Sequence, residues 1–153
     1  MFGAALQVGQ IAPDFTLTSQ DGSSVSLRDL RGKWVVLYFY PMEGASGSVL
    51  EAQNFQRDIA KYQEANAVIV GVTAHPARVI LAYLPAQSLT FKLLADTDNR
   101  VSQEYNSFYK ILRTSSRNTF LIAPDGKIAK VWLGVSPAKH SEEVLSALSS
   151  LKK

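Results

Sequence analysis

The chain has 153 residues and a net charge of +3, from 16 basic and 13 acidic residues, and it contains no cysteine. Its 46% hydrophobic and 19% charged content is that expected of one soluble globular domain over residues 1–153, able to bury an ordinary core without staples. The lack of cysteine excludes disulfides and thiolate metal sites, and basic residues that cluster only at Lys152-Lys153 argue against a nucleic-acid footprint.

Met1-Phe2-Gly3-Ala4-Ala5-Leu6 lacks the basic start and long apolar segment of a signal peptide. The longest apolar run, Trp34 to Tyr40, is strand-sized and too short to span a bilayer. A cytoplasmic place, or the soluble compartment of an organelle or plastid after processing, is the default expectation. Ala12 to Leu17 alternates well enough for a strand, and Gln20-Asp21-Gly22-Ser23 is turn chemistry leading to Val25-Ser26-Leu27. Lys33 to Tyr40 is β-branched and aromatic without alternation, as in a central strand covered on both faces. Ser46 to Ala65 reads as one long helix. Ala52, Phe55, Ile59 and Tyr62 recur on one side, with Glu51, Arg57, Asp58, Lys61 and Glu64 mostly on the other.

Ala67 to Val72 predicts a second buried strand, and Pro76 opens a helix that Pro85 is expected to stop at about Leu84. Phe91 to Leu94 predicts a short strand and Asp98 to Tyr105 a modest helix. Asn118 to Ala123 and Ile128 to Leu133 flank the hairpin signal Pro124-Asp125-Gly126-Lys127. Ser141 to Leu151 predicts an amphipathic helix with Val144, Leu145, Leu148 and Leu151 facing inward. Strand–helix alternation gives parallel strands and the hairpin adds antiparallel ones. The expected fold class is therefore α/β, thioredoxin-like. It has a mixed central sheet flanked by helices, an N-terminal β-ribbon extension, and an insertion between the second core strand and the hairpin.

Ser48 lies where an apolar strand runs through a short polar loop into a helix. A side chain at such a corner faces backbone N–H groups that have no partner within the helix, and the positive end of its dipole. That setting stabilises an anion and would make a thiol lose its proton readily; the residue present is a hydroxyl, of a type also favoured simply as a helix cap. His75 reads as a loop or capping residue and His140 as exposed, and neither has partners at metal-ligand spacing, so no metal site is expected. Ser48 lacks the glycine-flanked elbow of a hydrolase nucleophile. Tyr105, Phe108 and Tyr109 read as local packing or as a wall of a pocket near Arg117.

The segment Val36-Leu37-Tyr38-Phe39-Tyr40-Pro41, followed by Gly47 and position 48, resembles the peroxiredoxins, most closely the bacterioferritin-comigratory or Q-type subfamily. The resemblance extends over nearly the whole chain, through Ala12-Pro13-Asp14-Phe15, Asp21-Gly22, Leu27, Gly32-Lys33, Gly71-Val72, Leu93-Leu94-Ala95-Asp96, Arg117 to Ile122, and Asp125-Gly126. It implies a thiol-dependent peroxidase for hydrogen peroxide or organic hydroperoxides, served by an external thiol such as thioredoxin or glutaredoxin. It further implies no cofactor, no nucleic-acid or membrane partner, and a monomer or weak dimer.

The family pattern of proline, three residues, threonine, two residues and cysteine falls on Pro41, Ala45 and Ser48. Pro41 matches and would shield the site from water. Ala45 stands where the family threonine bonds the peroxide, and Ser48 where the peroxidatic cysteine attacks it. Arg117 matches the arginine that holds thiolate and peroxide oxygen, and Glu51 matches a residue common in the subfamily. The two places used for a resolving cysteine hold Gln53, on an exposed helix face, and Leu84, at a core position, which implies a one-cysteine cycle. A serine hydroxyl ionises far less readily than a thiol and has no comparable redox ladder, so the chain is expected to be inactive as written. Two origins account for Ser48: replacement of the cysteine of a one-cysteine parent, or a native serine in a cysteine-less relative with a binding role. A thioredoxin-type disulfide oxidoreductase would require two cysteines within Ala45-Ser46-Gly47-Ser48.

Overall fold

The computed structural model describes residues 6–41, 46–87, 89–109 and 114–152, with the side chains of 46, 83–87, 109, 114 and 115 outside that description. In chain order the elements are β1 (Thr16–Ser19), β2 (Ser24–Ser26), a 3-10 turn (Leu27–Leu30), β3 (Trp34–Phe39), α1 (Ser46–Arg57), α2 (Ile59–Glu64) and β4 (Ala67–Thr73). They continue with α3 (Ala77–Gln87), β5 (Lys92–Ala95), α4 (Arg100–Glu104), β6 (Phe108–Tyr109), β7 (Thr114–Ser115), β8 (Thr119–Ile122), β9 (Ile128–Trp132) and α5 (His140–Leu151). Seven strands form one sheet in the order β2-β1-β5-β4-β3-β8-β9, and β6 pairs with β7 alone. β3, β4 and β5 run parallel, β8 runs antiparallel to β3 and β9 antiparallel to β8, and the ribbon β1–β2 joins the same sheet through β5. This is the mixed thioredoxin-like sheet that the alternation predicts.

The uninterrupted apolar run of β3 is explained by burial on both faces. Val36, Tyr38 and Tyr40 pack with Ala52, Phe55 and Leu121 on one side. Val35, Leu37 and Phe39 pack with Phe15, Tyr105, Phe120 and Ile128 on the other. Tyr38 pairs across the ladder with Gly71. A Cβ at Gly71 would lie 2.8 Å from the Tyr38 ring and 2.7 Å from Leu93, so only glycine leaves room for the ring at this crossing.

Several expectations are corrected. The N-terminal strand begins at Thr16 rather than Ala12, because Pro13 has no N–H to give a ladder and the Asp14 carboxylate instead accepts from Arg28. The long helix is broken at Asp58. Asp58, read as solvent-facing, is buried: its carboxylate takes bonds from Arg57 and, at 2.8 Å, from the Ser141 hydroxyl at the start of α5. The Arg57 bond outweighs burial and holds the carboxyl below the usual range. The helix after Pro76 continues through Pro85 to Gln87, since a proline in the last turn forfeits only one i→i−4 bond. His140 is not exposed but fully buried. Its Nε2 lies 2.7 Å from Thr119 Oγ1, its ring packs edge-on against Phe55 and Trp132, and burial pushes its pKa down. Leu151 is 44% exposed, whereas Val144 and Leu148 are buried as expected.

Candidate active site

Phe39 ends β3, and Tyr40 stays in register because its N–H donates to Val72 O at 3.0 Å. Pro41 follows, half-buried. Ala45 lies outside the described residues, as does the side chain of Leu84, while Gln53 is exposed on α1 as expected. Ser48 is the third residue of α1 and only 5% exposed. Its position in the first turn leaves it beside N–H groups that the helix itself cannot satisfy.

Arg117 comes from the short irregular link between β7 and β8, and its carbonyl accepts the Val135 N–H at 2.8 Å. Its guanidinium bridges two residues one helical turn apart on α1. Nη2 donates to Ser48 Oγ at 3.1 Å, and Nη1 donates to Glu51 Oε1 at 3.2 Å. Glu51, read as solvent-facing from its charge, is 1% exposed and faces this cation instead. Gly47 permits the approach: a Cβ there would lie 2.9 Å from Arg117 Nη2. A cation and a helix start thus converge on the Ser48 hydroxyl, in a setting that favours negative charge at that atom.

Glu51 Oε2 is buried without a hydrogen-bond partner among the described residues. Burial pushes the Glu51 carboxyl up from 4.5 to about 7, against the opposing pull of Arg117. In that window the folded protein keeps a proton that the unfolded chain has released. The contribution to stability is therefore full below the unfolded value near 4.5 and is lost as pH rises through about 7. Glu51→Gln, which keeps an acceptor for Arg117 and has no charge to bury, is expected to flatten this dependence. Melting temperatures of both chains from pH 5 to 8 check it: a decline of the parent relative to the variant is expected, and parallel profiles would refute it.

Sequence reasoning missed the segment after β9 that borders the site. Asn54 Nδ2 donates to the carbonyls of Pro137 and Ala138, each at 3.2 Å, and Pro137 lies beside the start of α1 at Gly47. A signal existed, because Gly47, Glu51 and Asn54 share one helical face at four- and three-residue spacing. Tyr105 is a packing residue, buried against Phe15, Phe39 and Phe120. Phe108 belongs to the small β6–β7 pair, and the Tyr109 side chain lies outside the described residues. Among the described residues no group of three or more His, Asp or Glu side chains is placed to hold a metal ion.

A model of the AhpC/TSA family matches residues 8–131. Peroxiredoxin Bcp of Bacillus subtilis (strain 168) is 32% identical over 152 residues, covering 95% of this chain and 97% of that protein. A solved structure of a cysteine-to-serine mutant of PrxQ from Xylella fastidiosa aligns with a TM-score of 0.91 at 26% identity, covering 99% of this chain and 100% of that one. A cysteine-to-serine mutant of peroxiredoxin Q from Xanthomonas campestris aligns with a TM-score of 0.89 at 28% identity, covering 98% and 99%.

Proposed function

The chain belongs to the AhpC/TSA family and resembles its Bcp and PrxQ peroxiredoxins, and from that premise we propose that Ser48 occupies the point from which a thiolate would attack peroxide. The supporting observation is the 3.1 Å bond from Arg117 to Ser48 Oγ in the first turn of α1. With a cysteine there, the thiolate attacks one peroxide oxygen. An S–O bond forms as the O–O bond breaks, and the departing hydroxide or alkoxide takes up a proton, leaving a sulfenic acid. Arg117 and the helix start stabilise the thiolate and the charge developing on the leaving oxygen. Pro41 shields the corner, Glu51 orients Arg117, and Ala45 leaves the family's threonine bond to peroxide unmade. An external dithiol then reduces the sulfenic acid to thiol and water.

A serine alkoxide is inaccessible at neutral pH and has no two-electron ladder, so the chain with Ser48 does not turn peroxide over. The reductant in this reading is a thioredoxin- or glutaredoxin-type protein, and the protein is a monomer or weak dimer of one domain in a cytoplasmic or organellar compartment. No helix among the described residues is long and apolar enough to cross a membrane. The test is Ser48→Cys, with hydrogen peroxide consumption followed in dithiothreitol. Catalytic turnover is expected in the variant and only the uncatalysed background in the parent. Equal rates in the two would sink the proposal.

Ala45 in place of the family threonine, a second departure beside Ser48, favours a second reading, a relative that keeps the pocket for binding. A gene that itself encodes serine at position 48, together with no peroxide turnover by Ser48→Cys, is the result that favours it.

A further inference from the structure

Arg117 stands on backbone that belongs to neither a helix nor a strand: β7 ends at Ser115 and β8 begins at Thr119. The link is tied by backbone bonds, Ser116 N–H to Ser107 O at 2.6 Å and Asn118 N–H to Ser116 O at 2.9 Å, and the four-torsion side chain it carries must still deliver its guanidinium to Ser48. Asn118, the next residue, is 6% exposed and uses both ends of its amide. Nδ2 donates to Ser107 Oγ at 3.0 Å, and Oδ1 accepts the Gly134 N–H at 3.0 Å. The Gly134 N–H can only donate, so its partner must be the amide oxygen, and the amino group is left facing Ser107.

Both partners are themselves anchored. The Ser107 N–H donates to Ser102 O at 2.7 Å, tying it to α4, and its hydroxyl donates to Tyr105 O at 3.0 Å, which leaves its oxygen to accept from Asn118. Gly134, at a φ of +58° that favours glycine, turns the chain after β9 so that the next N–H, of Val135, reaches Arg117 O. The Asn118 carbonyl also accepts the Phe39 N–H at 2.8 Å, at the end of β3. One residue thus ties together the α4 side, the turn after β9 and the strand that leads to the site.

We infer that Asn118 is a positioning residue for Arg117: its amide, held by Ser107 on one side and Gly134 on the other, fixes the link from which the guanidinium reaches Ser48. The inference rests on the proposed role of position 48. The Asn118 amide supplies a donor and an acceptor on one planar group with only two torsions to order. An aliphatic residue removes the Ser107 and Gly134 bonds together, and with them the side-chain clamp that holds the link in place. Shifts of about 1 Å in a charged group at a reacting centre cost on the order of 10²-fold in rate.

The experiment places Asn118→Ala in the Ser48→Cys chain and measures the pKa of the introduced thiol by thiolate absorbance, together with peroxide kcat/KM and thermal unfolding. The thiol pKa is expected to rise by about one unit or more as the guanidinium withdraws. A fall in kcat/KM of about tenfold or more accompanies it. Asn118→Asp keeps an acceptor for the Gly134 N–H and can accept the Ser107 hydroxyl, and it is expected to bring the thiol pKa back toward that of its background. A folded Asn118→Ala chain whose thiol pKa moves by less than about 0.3 unit and whose kcat/KM stays within twofold of the background overturns the inference, whatever happens to its melting temperature. If that variant does not fold, Ser107→Ala removes one arm of the clamp, and an unchanged thiol pKa there overturns it equally. Failure of Ser48→Cys itself to reduce peroxide refutes the reading of position 48 instead; the thiol pKa needs no turnover and still decides the role of Asn118.

Discussion

In the Ser48→Cys chain, Arg117→Ala is expected to lower peroxide kcat/KM by about 10²–10³-fold, the scale seen when one preorganised donor to developing charge is removed. Two effects combine. The guanidinium whose Nη2 now lies 3.1 Å from Ser48 Oγ would no longer favour the thiolate, so less of the nucleophile is ionised at neutral pH. The same cation would also be missing where the leaving oxygen gathers charge. Removal leaves Glu51, 1% exposed, without its counter-charge, so its carboxyl moves further up and is neutral over a wider pH range. Arg117→Lys keeps the charge but not the fork that spans Ser48 and Glu51, and an intermediate loss is expected. Steady-state kinetics with hydrogen peroxide from pH 5 to 8 decides it; an Arg117→Ala chain within threefold of its background would remove Arg117 from the mechanism.

Phe55→Ala is expected to destabilise the fold by about 3–5 kcal/mol, the usual cost of emptying a buried aromatic position. Phe55 is fully buried, with ring centroids 4.9 Å from Tyr38, 5.9 Å from Tyr62, 6.5 Å from Phe91 and 5.8 Å from His140. It lies two turns after Ser48 and sets the height of α1 above β3, so the site loses its support together with the core. Urea unfolding, with the midpoint and slope compared to the parent, measures the loss. A change below about 1 kcal/mol would mean that neighbouring rings close the cavity.

The parts of this fold that were legible in the sequence are those governed by local pattern. β3 and β4 are unbroken apolar runs bounded by turn residues, and the β8–β9 hairpin carries its own turn. Ser48 stood out by its place at a strand-to-helix corner, but Glu51 and Arg117 could be nominated only through the resemblance, since Arg117 is 69 residues from Ser48 and no periodicity relates them. What escaped depends on partners far along the chain. Charge placed Glu51 and Asp58 on the solvent side of the helix, but Arg117 and Ser141 bury both. His140 looked exposed because Thr119, Phe55 and Trp132 approach it only after folding. The amide of Asn118 gives no sign in the sequence that Ser107 and Gly134 will meet it from two directions.

The crossing of Tyr38 with Gly71 ties the history of the core to that of the site. A larger residue at position 71 can be accepted only if the ring at 38 or the leucine at 93 shrinks in the same lineage, because the room left there is less than a methyl group. Tyr38 stacks on Tyr40, the last ladder residue before Pro41, with ring centroids 5.5 Å apart. A change of size at position 38, 71 or 93 is therefore felt at the other two, and through the Tyr38–Tyr40 contact it reaches the strand end that presents the active-site corner.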